Sequence, residues 1–206
     1  MSRKPAATAK PRIIVGISGA SGTVYGVRLL ELLKACGIET HLILSRAAQV
    51  TMAYETDLKV ADVERLATVV HSNNDIGAAC SSGSFKTLGM ILAPCSVKTM
   101  SEIATGNTGN LISRAADVAL KERRRVVLLL RETPLHIGHI RTMAAVTEAG
   151  AIVYPPVPAF YAMPKSLDDM VDHTLGRVLD LFDIDVGTVR RWSGDKARPK
   201  TPAGKK

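Results

Sequence analysis

The stretch Arg12-Ile-Ile-Val-Gly-Ile-Ser-Gly-Ala-Ser-Gly22 decides the fold of this chain. Its apolar run at 13–17 predicts a buried strand, and the small residues after it predict a tight turn. Residues 23–36 then repeat apolar side chains at helical spacing. Because the turn lies at a helix N-terminus, free N–H groups and the positive dipole end favour an anion there. With two glycines and two serine hydroxyls in the turn, the stretch indicates a phosphate-bearing ligand, best read as a nucleotide cofactor.

A dinucleotide-binding dehydrogenase is the first alternative. Its G-x-G-x-x-G fingerprint is matched only approximately, by Gly16, Gly19 and Gly22. The strand predicted at 40–44 ends in Ser45-Arg46 rather than in an acid that would hold a ribose. A basic residue there suits a 2′-phosphate, so an NADP enzyme stays open, as does a glycine turn that merely connects strand and helix.

The composition is that of a globular chain with basic ends. Its 206 residues, 46% of them hydrophobic, can bury a core and predict one domain over residues 12–192. Of the net charge of +8, residues 1–12 carry +4 and residues 190–206 carry +6, which leaves −2 between them. We predict that 1–11 and 193–206 are disordered basic tails. Charge confined to tails, with 4% aromatic residues, argues against a nucleic-acid partner.

Targeting, redox and metal signals are weak. We find no apolar run of membrane-spanning length and no apolar signal core, so we expect a cytoplasmic protein without a membrane partner. The three cysteines, Cys36, Cys80 and Cys95, are too widely spaced for a disulfide framework and are expected to be reduced. His136 and His139 lack a third ligand at useful spacing. We interpret them as helix-surface or interface residues and predict no metal.

Strands and helices alternate along the body of the chain. Strands are predicted at 13–17, 39–44, 88–93, 126–130 and 151–154. Helices are predicted at 23–36, 47–54, 62–70, 100–104, 112–123, 135–149 and 167–182, with loops at 71–86 and 155–164. This order implies an α/β fold with three layers, Rossmann-like, built on a mostly parallel, doubly wound sheet. Ligands of such sheets bind beyond the carboxyl ends of the strands, where the strand order reverses.

Polar and basic residues follow the later strands as well. The strand at 88–93 leads into Ser96-Val97-Lys98-Thr99, a second anion-friendly loop at a helix start, although a serine N-cap also occurs without any ligand. The strand at 126–130 leads into Arg131, which suits a phosphate, an electron-rich ring edge or an ion pair with Glu132. Two such loops in one sheet indicate a ligand more strongly than either alone.

Several segments share their order with a known family: Gly16–Gly22, Glu55–Asp57, Ser82–Phe85, Pro94–Thr99, Arg114–Asp117, Leu120–Arg124, Arg131–Leu135 and Pro158–Tyr161. Together they closely resemble the UbiX-type flavin prenyltransferases, which have a flavoprotein fold and were once described as aromatic acid decarboxylases. The resemblance runs from about residue 12 to residue 192. Many segments in register make it specific, unlike a single glycine loop.

The resemblance implies that dimethylallyl monophosphate alkylates N5 and C6 of reduced FMN, giving prenylated FMN for a UbiD-type decarboxylase. It also implies a homo-oligomer, expected to be a dodecamer. The residues that would hold FMN are Gly19, Ala20, Ser21, Ser45, Ser96, Val97, Lys98, Thr99 and Arg131. Those that would hold the prenyl phosphate are Arg114, Lys121, Tyr161 and Arg177. The expected catalytic residues are Ser21, Glu55, Lys121 and Glu132.

The expected reaction asks for these residue types on chemical grounds. Ionisation of an allylic phosphate places negative charge on the leaving group, which Lys and Arg side chains stabilise. Glu55 can move a proton or steady a developing cation, and Tyr161 can donate to a phosphate oxygen while its ring faces the prenyl tail. Outside the resemblance, Glu55 and Arg177 would pass as surface residues, and Lys121 as a cation favoured at a helix C-terminus.

Three other activities stay open at this point. They are decarboxylation of peptidyl or pantothenoyl cysteine with FMN, decarboxylation of an aromatic acid, and flavin carriage without chemistry. Cysteine decarboxylases carry a Pro-x-Met-Asn stretch and an early catalytic histidine, which this chain lacks. Two groups of cations argue against a carrier, because FMN has one phosphate.

Overall fold

Six parallel strands form the sheet that organises residues 10–191, the part of the chain that the computed structural model describes. The strands are β1 Arg12–Ile17, β2 Glu39–Leu44, β3 Val69–Ser72, β4 Gly89–Cys95, β5 Arg125–Leu130 and β6 Ile152–Val153. The helices are α1 Thr23–Ala35, α2 Arg46–Glu55, α3 Val60–Glu64, α4 Val97–Ala104, α5 Leu111–Lys121, α6 Ile137–Glu148 and α7 Leu167–Asp180. Nearly all of both predicted tails lies outside the described residues.

The strand order is β3-β2-β1-β4-β5-β6, and each strand pairs in parallel with its neighbours. The order reverses between β1 and β4, where the chain leaves the centre of the sheet in two directions. This arrangement confirms the predicted doubly wound α/β fold. It also places the ligand site at the carboxyl ends of β1 and β4.

Two hydrophobic cores cover the two faces of the sheet, which gives the predicted three layers. One core packs α1, α2, α3 and α7 against the sheet, and the other packs α4, α5 and α6. The central strands β1 and β4 are buried nearly throughout, because both faces are covered. Among the described residues, no helix combines the length and the apolar character that crossing a bilayer requires.

The helix predicted at 62–70 is wrong in its second half. α3 ends at Glu64, and residues 69–72 form β3, which pairs with β2 at the edge of the sheet. Two reciprocal hydrogen bonds fix this pairing, from the backbone N of Thr40 to Thr68 Oγ1 at 3.1 Å and from the backbone N of Thr68 to Thr40 Oγ1 at 3.0 Å. The loop predicted at 71–86 is correspondingly too long, because its first two residues belong to β3.

The cysteines occupy different environments. Cys95 ends β4 and is fully buried, and this burial raises the pKa of its thiol to about 12. Burial likewise raises the pKa of Cys80 to about 11. Cys36 is exposed just after α1, at the opposite edge of the sheet from the carboxyl ends of the strands. All three are free thiols, as the sequence predicts.

Candidate active site

A cavity of about 490 Å³ lies at the carboxyl edge of the sheet, at the switch point between β1 and β4. The segments that follow β1, β2, β3, β4 and β5 build its walls, together with the start of α5. All nine residues predicted to hold FMN line this cavity: Gly19, Ala20, Ser21, Ser45, Ser96, Val97, Lys98, Thr99 and Arg131. Glu132, predicted as a catalytic residue, lines it too. The topology therefore gathers residues more than 100 positions apart in the sequence.

Ser18 joins the two central loops beneath the cavity. Its hydroxyl donates to the carbonyl oxygen of Pro94 at 3.1 Å and accepts from the backbone N–H of Ser96 at 2.8 Å. The side chain is only 1% exposed, so these bonds replace contacts with water. The loop after β1 and the loop after β4 are thereby held as one unit.

Two helix N-termini point their first turns at the cavity. Ser45 caps α2 by accepting from the backbone N–H of Ala48 at 3.0 Å, and Ser96 caps α4 by accepting from Thr99 at 3.3 Å. The earlier N–H groups of each helix have no partner within the helix, and the positive dipole ends lie there. Gly19 packs so closely against α2 that an added Cβ would overlap the Cβ of Ala47. Both termini therefore suit anionic or electron-rich groups of a ligand.

The cavity is lined by both acidic and basic side chains, and two of the basic ones have no acidic partner in the part of the chain that the structure describes. Lys98 pairs with Glu102 at 3.0 Å. Arg46 and Arg131 form no ion pair with any described residue. Two guanidinium groups without a carboxylate partner, close to two helix N-termini, favour a ligand that carries negative charge.

Glu55 occupies the N-terminus of α1. Its carboxylate accepts hydrogen bonds from the backbone N–H of Gly22 at 3.0 Å and from that of Thr23 at 2.9 Å. The sequence suggests a ligand phosphate at this helix start, but the structure places a side-chain carboxylate there. Partial burial would raise the pKa of Glu55, but bonding with the Ser21 hydroxyl and with these backbone groups outweighs it and lowers the pKa. Glu55 is therefore an ionised group beside Ser21, but it does not itself line the cavity.

Six cavity residues lie outside the predicted FMN-binding and catalytic sets: Arg46, Ala47, Asn73, Glu102, Asn110 and Ile112. Asn73 follows β3, and its side-chain oxygen accepts from the backbone N–H of Ile112 at 3.1 Å. Asn110 caps α5 and donates to Glu102 at 3.1 Å. Asn110 carries an N-cap signal in the sequence, whereas Asn73 is hidden because β3 itself is not predicted.

The four residues expected at the prenyl phosphate do not line this cavity within one chain. On α5, Arg114 pairs with Asp117 at 3.1 Å and Lys121 with Glu122 at 2.5 Å. Because Ile112 lines the cavity, Lys121 lies about 14 Å further along the axis of the helix. Tyr161 and Arg177 lie near Tyr154, which follows the edge strand β6, and Arg177 pairs with Asp180 at 2.5 Å. Their roles stay predictions.

Phe85, His136 and His139 do not line the cavity. Phe85 packs against His41 and beneath the Arg12 guanidinium, at the amino edge of the sheet, so it does not cover the cavity. His136 caps α6 by accepting from the backbone N–H of Gly138, and His139 stacks on it. Among residues 10–191, no group of three His, Cys, Asp or Glu side chains is placed to hold a metal ion.

Comparisons with known proteins agree with this geometry. The family model described as Flavoprotein matches residues 1–179. The flavin prenyltransferase UbiX of Thauera aromatica is 56% identical over 187 residues, which cover 91% of this chain and 96% of the relative. The crystal structure of AnUbiX (PadA1) in complex with FMN and dimethylallyl pyrophosphate matches with a TM-score of 0.89 at 49% identity, covering 91% of this chain and all of that one.

A dodecameric FMN-dependent UbiX-like decarboxylase from Escherichia coli O157:H7 matches with a TM-score of 0.86 at 45% identity, covering 89% of this chain and all of that one. The parallel sheet and the polar cavity at its switch point thus define a flavoprotein of the α/β class. Within that class the chain belongs to the UbiX flavin prenyltransferase family, and it is an enzyme of the transferase type. These relatives favour prenyl transfer over the alternatives that the sequence leaves open.

Proposed function

We propose that this enzyme transfers a dimethylallyl group from dimethylallyl monophosphate to N5 and C6 of reduced FMN, and that the prenylated FMN serves a UbiD-type decarboxylase. One observation carries the proposal: the nine residues predicted to hold FMN surround a single cavity at the switch point of the sheet. The family membership supports the transferase chemistry. The donor phosphate, the acceptor atoms and the recipient decarboxylase are the parts that experiment must test.

The cavity fits FMN in size and in chemistry. Its volume of about 490 Å³ lies within the range of small-molecule and cofactor sites. FMN has two electron-rich ends, the phosphate and the carbonyl edge of the ring, and the cavity has two helix N-termini with hydroxyls at Ser45 and Ser96. Arg46 and Arg131 supply positive charge. When bound, the reduced flavin supplies the nucleophilic ring atoms of the reaction.

Ser21, Glu55 and Glu132 are the candidates for work at the reacting atoms. Glu55 is ionised at neutral pH because its pKa is lowered, so it can accept a proton or steady positive charge. Ser21 lies beside it and lines the cavity. Glu132 lines the opposite wall and accepts from the backbone N–H of Thr133 at 3.0 Å. Ser21 and Glu132 thus line the space in which the ring would lie, and Glu55 is bonded to the end of the loop that carries Ser21.

The prenyl phosphate needs cations as it leaves, and Arg114, Lys121 and Arg177 are the candidates, with Tyr161 as a further donor. They are spread over the surface of one chain, away from the FMN cavity. We therefore propose that a homo-oligomer, expected to be a dodecamer, brings such residues of one copy to the cavity of another. The likeness to a dodecameric solved relative supports this arrangement. No step of the proposal requires a metal ion.

The decisive experiment mixes the protein with reduced FMN and dimethylallyl monophosphate in the absence of oxygen. Mass spectrometry of the released flavin should show the gain of one prenyl unit. A parallel mixture with Arg131→Ala, which should bind FMN weakly, serves as the control for the site. If the wild-type protein binds FMN but releases only unmodified flavin, the proposed function is wrong.

A further inference from the structure

Four side chains meet beside the β6 edge of the sheet, outside the FMN cavity. His173 and Arg177 stand four residues apart on α7 and so share one face of that helix. The ring of Tyr161 packs edge to face on the ring of His173, with centroids 5.7 Å apart and planes at 83°. Tyr154 follows β6 and completes the group, which we call the α7 cluster. It contains Tyr161 and Arg177, two of the residues predicted to bind the prenyl donor, and it adds His173.

Two other members of the α7 cluster act on the Tyr154 hydroxyl. Burial raises the pKa of Tyr154, the charge of Arg177 opposes this rise, and Tyr161 adds to it. The three groups therefore act on one another across a short distance. Arg177 is held in turn by Asp180, which also pairs with Arg191 at 2.9 Å.

His173 differs from its neighbours in its burial. It is only 7% exposed, and its Nε2 has no hydrogen-bond partner among residues 10–191. Leaving a polar atom buried and unpaired costs stability, because the atom loses its hydrogen bonds to water without replacement. An apolar residue would fill the same place on α7 without that cost, so packing alone gives no reason for a histidine here.

Tyr161 differs in the opposite way, because it is 47% exposed and belongs to a segment with little regular structure. Its regular structure is a short 3-10 turn at Phe160–Ala162, and the following Met163 has a φ of 54°. A tyrosine in such a segment would lose rotamer freedom whenever it bound a ligand. Stacking on a buried ring of a rigid helix removes that freedom beforehand.

We propose that His173 is a positioning residue of the donor site, which acts by holding the Tyr161 ring on the α7 face that carries Arg177. This inference rests on the proposed function, because it assumes that Tyr161 and Arg177 bind the phosphate of the prenyl donor. His173 itself touches neither donor nor flavin; it orders the residue that does. The competing view makes His173 an ordinary core residue whose replacement affects stability alone.

The test is a double-mutant cycle in the full-length, FMN-loaded enzyme. His173→Leu removes the ring and keeps a buried apolar side chain, whereas His173→Phe keeps a ring. Both are made in the wild-type and in the Tyr161→Ala background. The measurements are KM and kcat for dimethylallyl monophosphate, its Kd by calorimetry, and the Kd of FMN. Thr174→Val changes a buried hydroxyl one position further along α7 and serves as the control for stability.

We expect His173→Leu to raise KM and Kd for the donor about three- to tenfold, the range of an aromatic pair, with kcat and FMN affinity unchanged. His173→Phe should restore wild-type values, and in the Tyr161→Ala background neither change should matter further. Thr174→Val should lower Tm without changing donor binding. Additive effects of the two sites, or an unchanged KM in His173→Leu, would overturn the inference. Absence of prenylated product from the wild-type enzyme would instead contradict the proposed function, and absence of donor binding would contradict both.

Discussion

Both carboxylate oxygens of Glu55 lie 3.0 Å from the backbone nitrogen of Gly22, although the two residues are 33 positions apart. The N-terminus of α1 is thus capped by a side-chain carboxylate of the protein itself. A ligand phosphate has no place at that terminus, and the helix starts that line the cavity are those of α2, α4 and α5. Glu55 is thus tied to the loop that carries Ser21, next to the FMN cavity.

Replacement of Glu55 by glutamine should separate binding from chemistry. Glu55→Gln keeps an oxygen that can accept from Gly22 or Thr23, so FMN affinity should stay within about twofold of wild type. Formation of prenylated flavin should slow about 100-fold or more, because the ionised group is lost. Single-turnover absorbance of the flavin measures this rate. Glu148→Gln, at an exposed acid that ends α6, should leave it unchanged.

The same contact predicts a pH dependence of stability. The pKa of Glu55 is lower in the folded chain than its ordinary value of 4.5. Its stabilising contribution is therefore complete above that ordinary value and is lost as pH falls through the lowered one. The Tm difference between wild type and Glu55→Gln should be largest near about pH 7 and should shrink below about pH 4. A constant difference over this range would contradict the role of the charge.

Gly19→Ala should damage the FMN cavity without unfolding the chain. The added methyl group would overlap Ala47 at the start of α2, so the loop after β1 or the helix start must shift. We expect FMN affinity to fall at least about tenfold, since backbone groups near the ligand move. Flavin titration measures this effect. Gly77→Ala, where an added Cβ meets nothing nearer than 3.5 Å, is the matched control and should bind FMN normally.

Ser18→Ala should weaken the link between the two central loops. It removes one donated bond and leaves the buried N–H of Ser96 without its acceptor, which should cost about 1–3 kcal/mol of unfolding free energy. Urea denaturation followed by far-UV circular dichroism measures the loss. Ser101→Ala, at an exposed position of α4, should cost little. Equal stability of the two variants would show that the Ser18 bonds contribute nothing.

Two arginines should give opposite phenotypes. Arg131→Ala should weaken FMN roughly 10- to 100-fold, the range for hydrogen bonds to charged groups, because Arg131 lines the cavity. Arg177→Ala should raise KM for dimethylallyl monophosphate by a similar factor and leave FMN affinity unchanged. Calorimetry with FMN and initial rates with the donor distinguish the two. If Arg177→Ala weakens both ligands equally, its assignment to the donor is wrong.

The sequence predicts the fold well where burial is complete. The apolar runs of β1, β4 and β5 can only be covered strands, and the helices between them follow from periodicity. β3 fails this test because Val69 and Val70 face solvent at the sheet edge, so no apolar run or clean alternation marks the strand. The reciprocal bonds between Thr40 in β2 and Thr68 just before β3 join residues 28 positions apart. A pattern of neighbouring residues cannot reveal such a contact.

Some residues of the candidate site could be predicted from the sequence, and others could not. Residues directly after strands, such as Ser45 and Arg131, are placed by topology once the strands are known. The resemblance predicts Glu55 as a catalytic residue, but its capping bonds to Gly22 and Thr23 depend on the three-dimensional return of α2 to α1. His173 gives no signal in the sequence, because its partner Tyr161 lies 12 positions earlier across a turn in the chain. Contacts between copies of the chain lie beyond any one-chain pattern.

The unequal burial of the thiols makes this enzyme convenient to label. Cys80 and Cys95 should resist maleimides at neutral pH because both thiols are buried and burial raises the pKa of each, whereas Cys36 is exposed. A fluorophore should therefore attach at one position, on the far side of the sheet from the FMN cavity. Fluorescence resonance energy transfer between copies that carry two different fluorophores would then report the association of chains. The fluorescence of the flavin itself reports independently on the cavity.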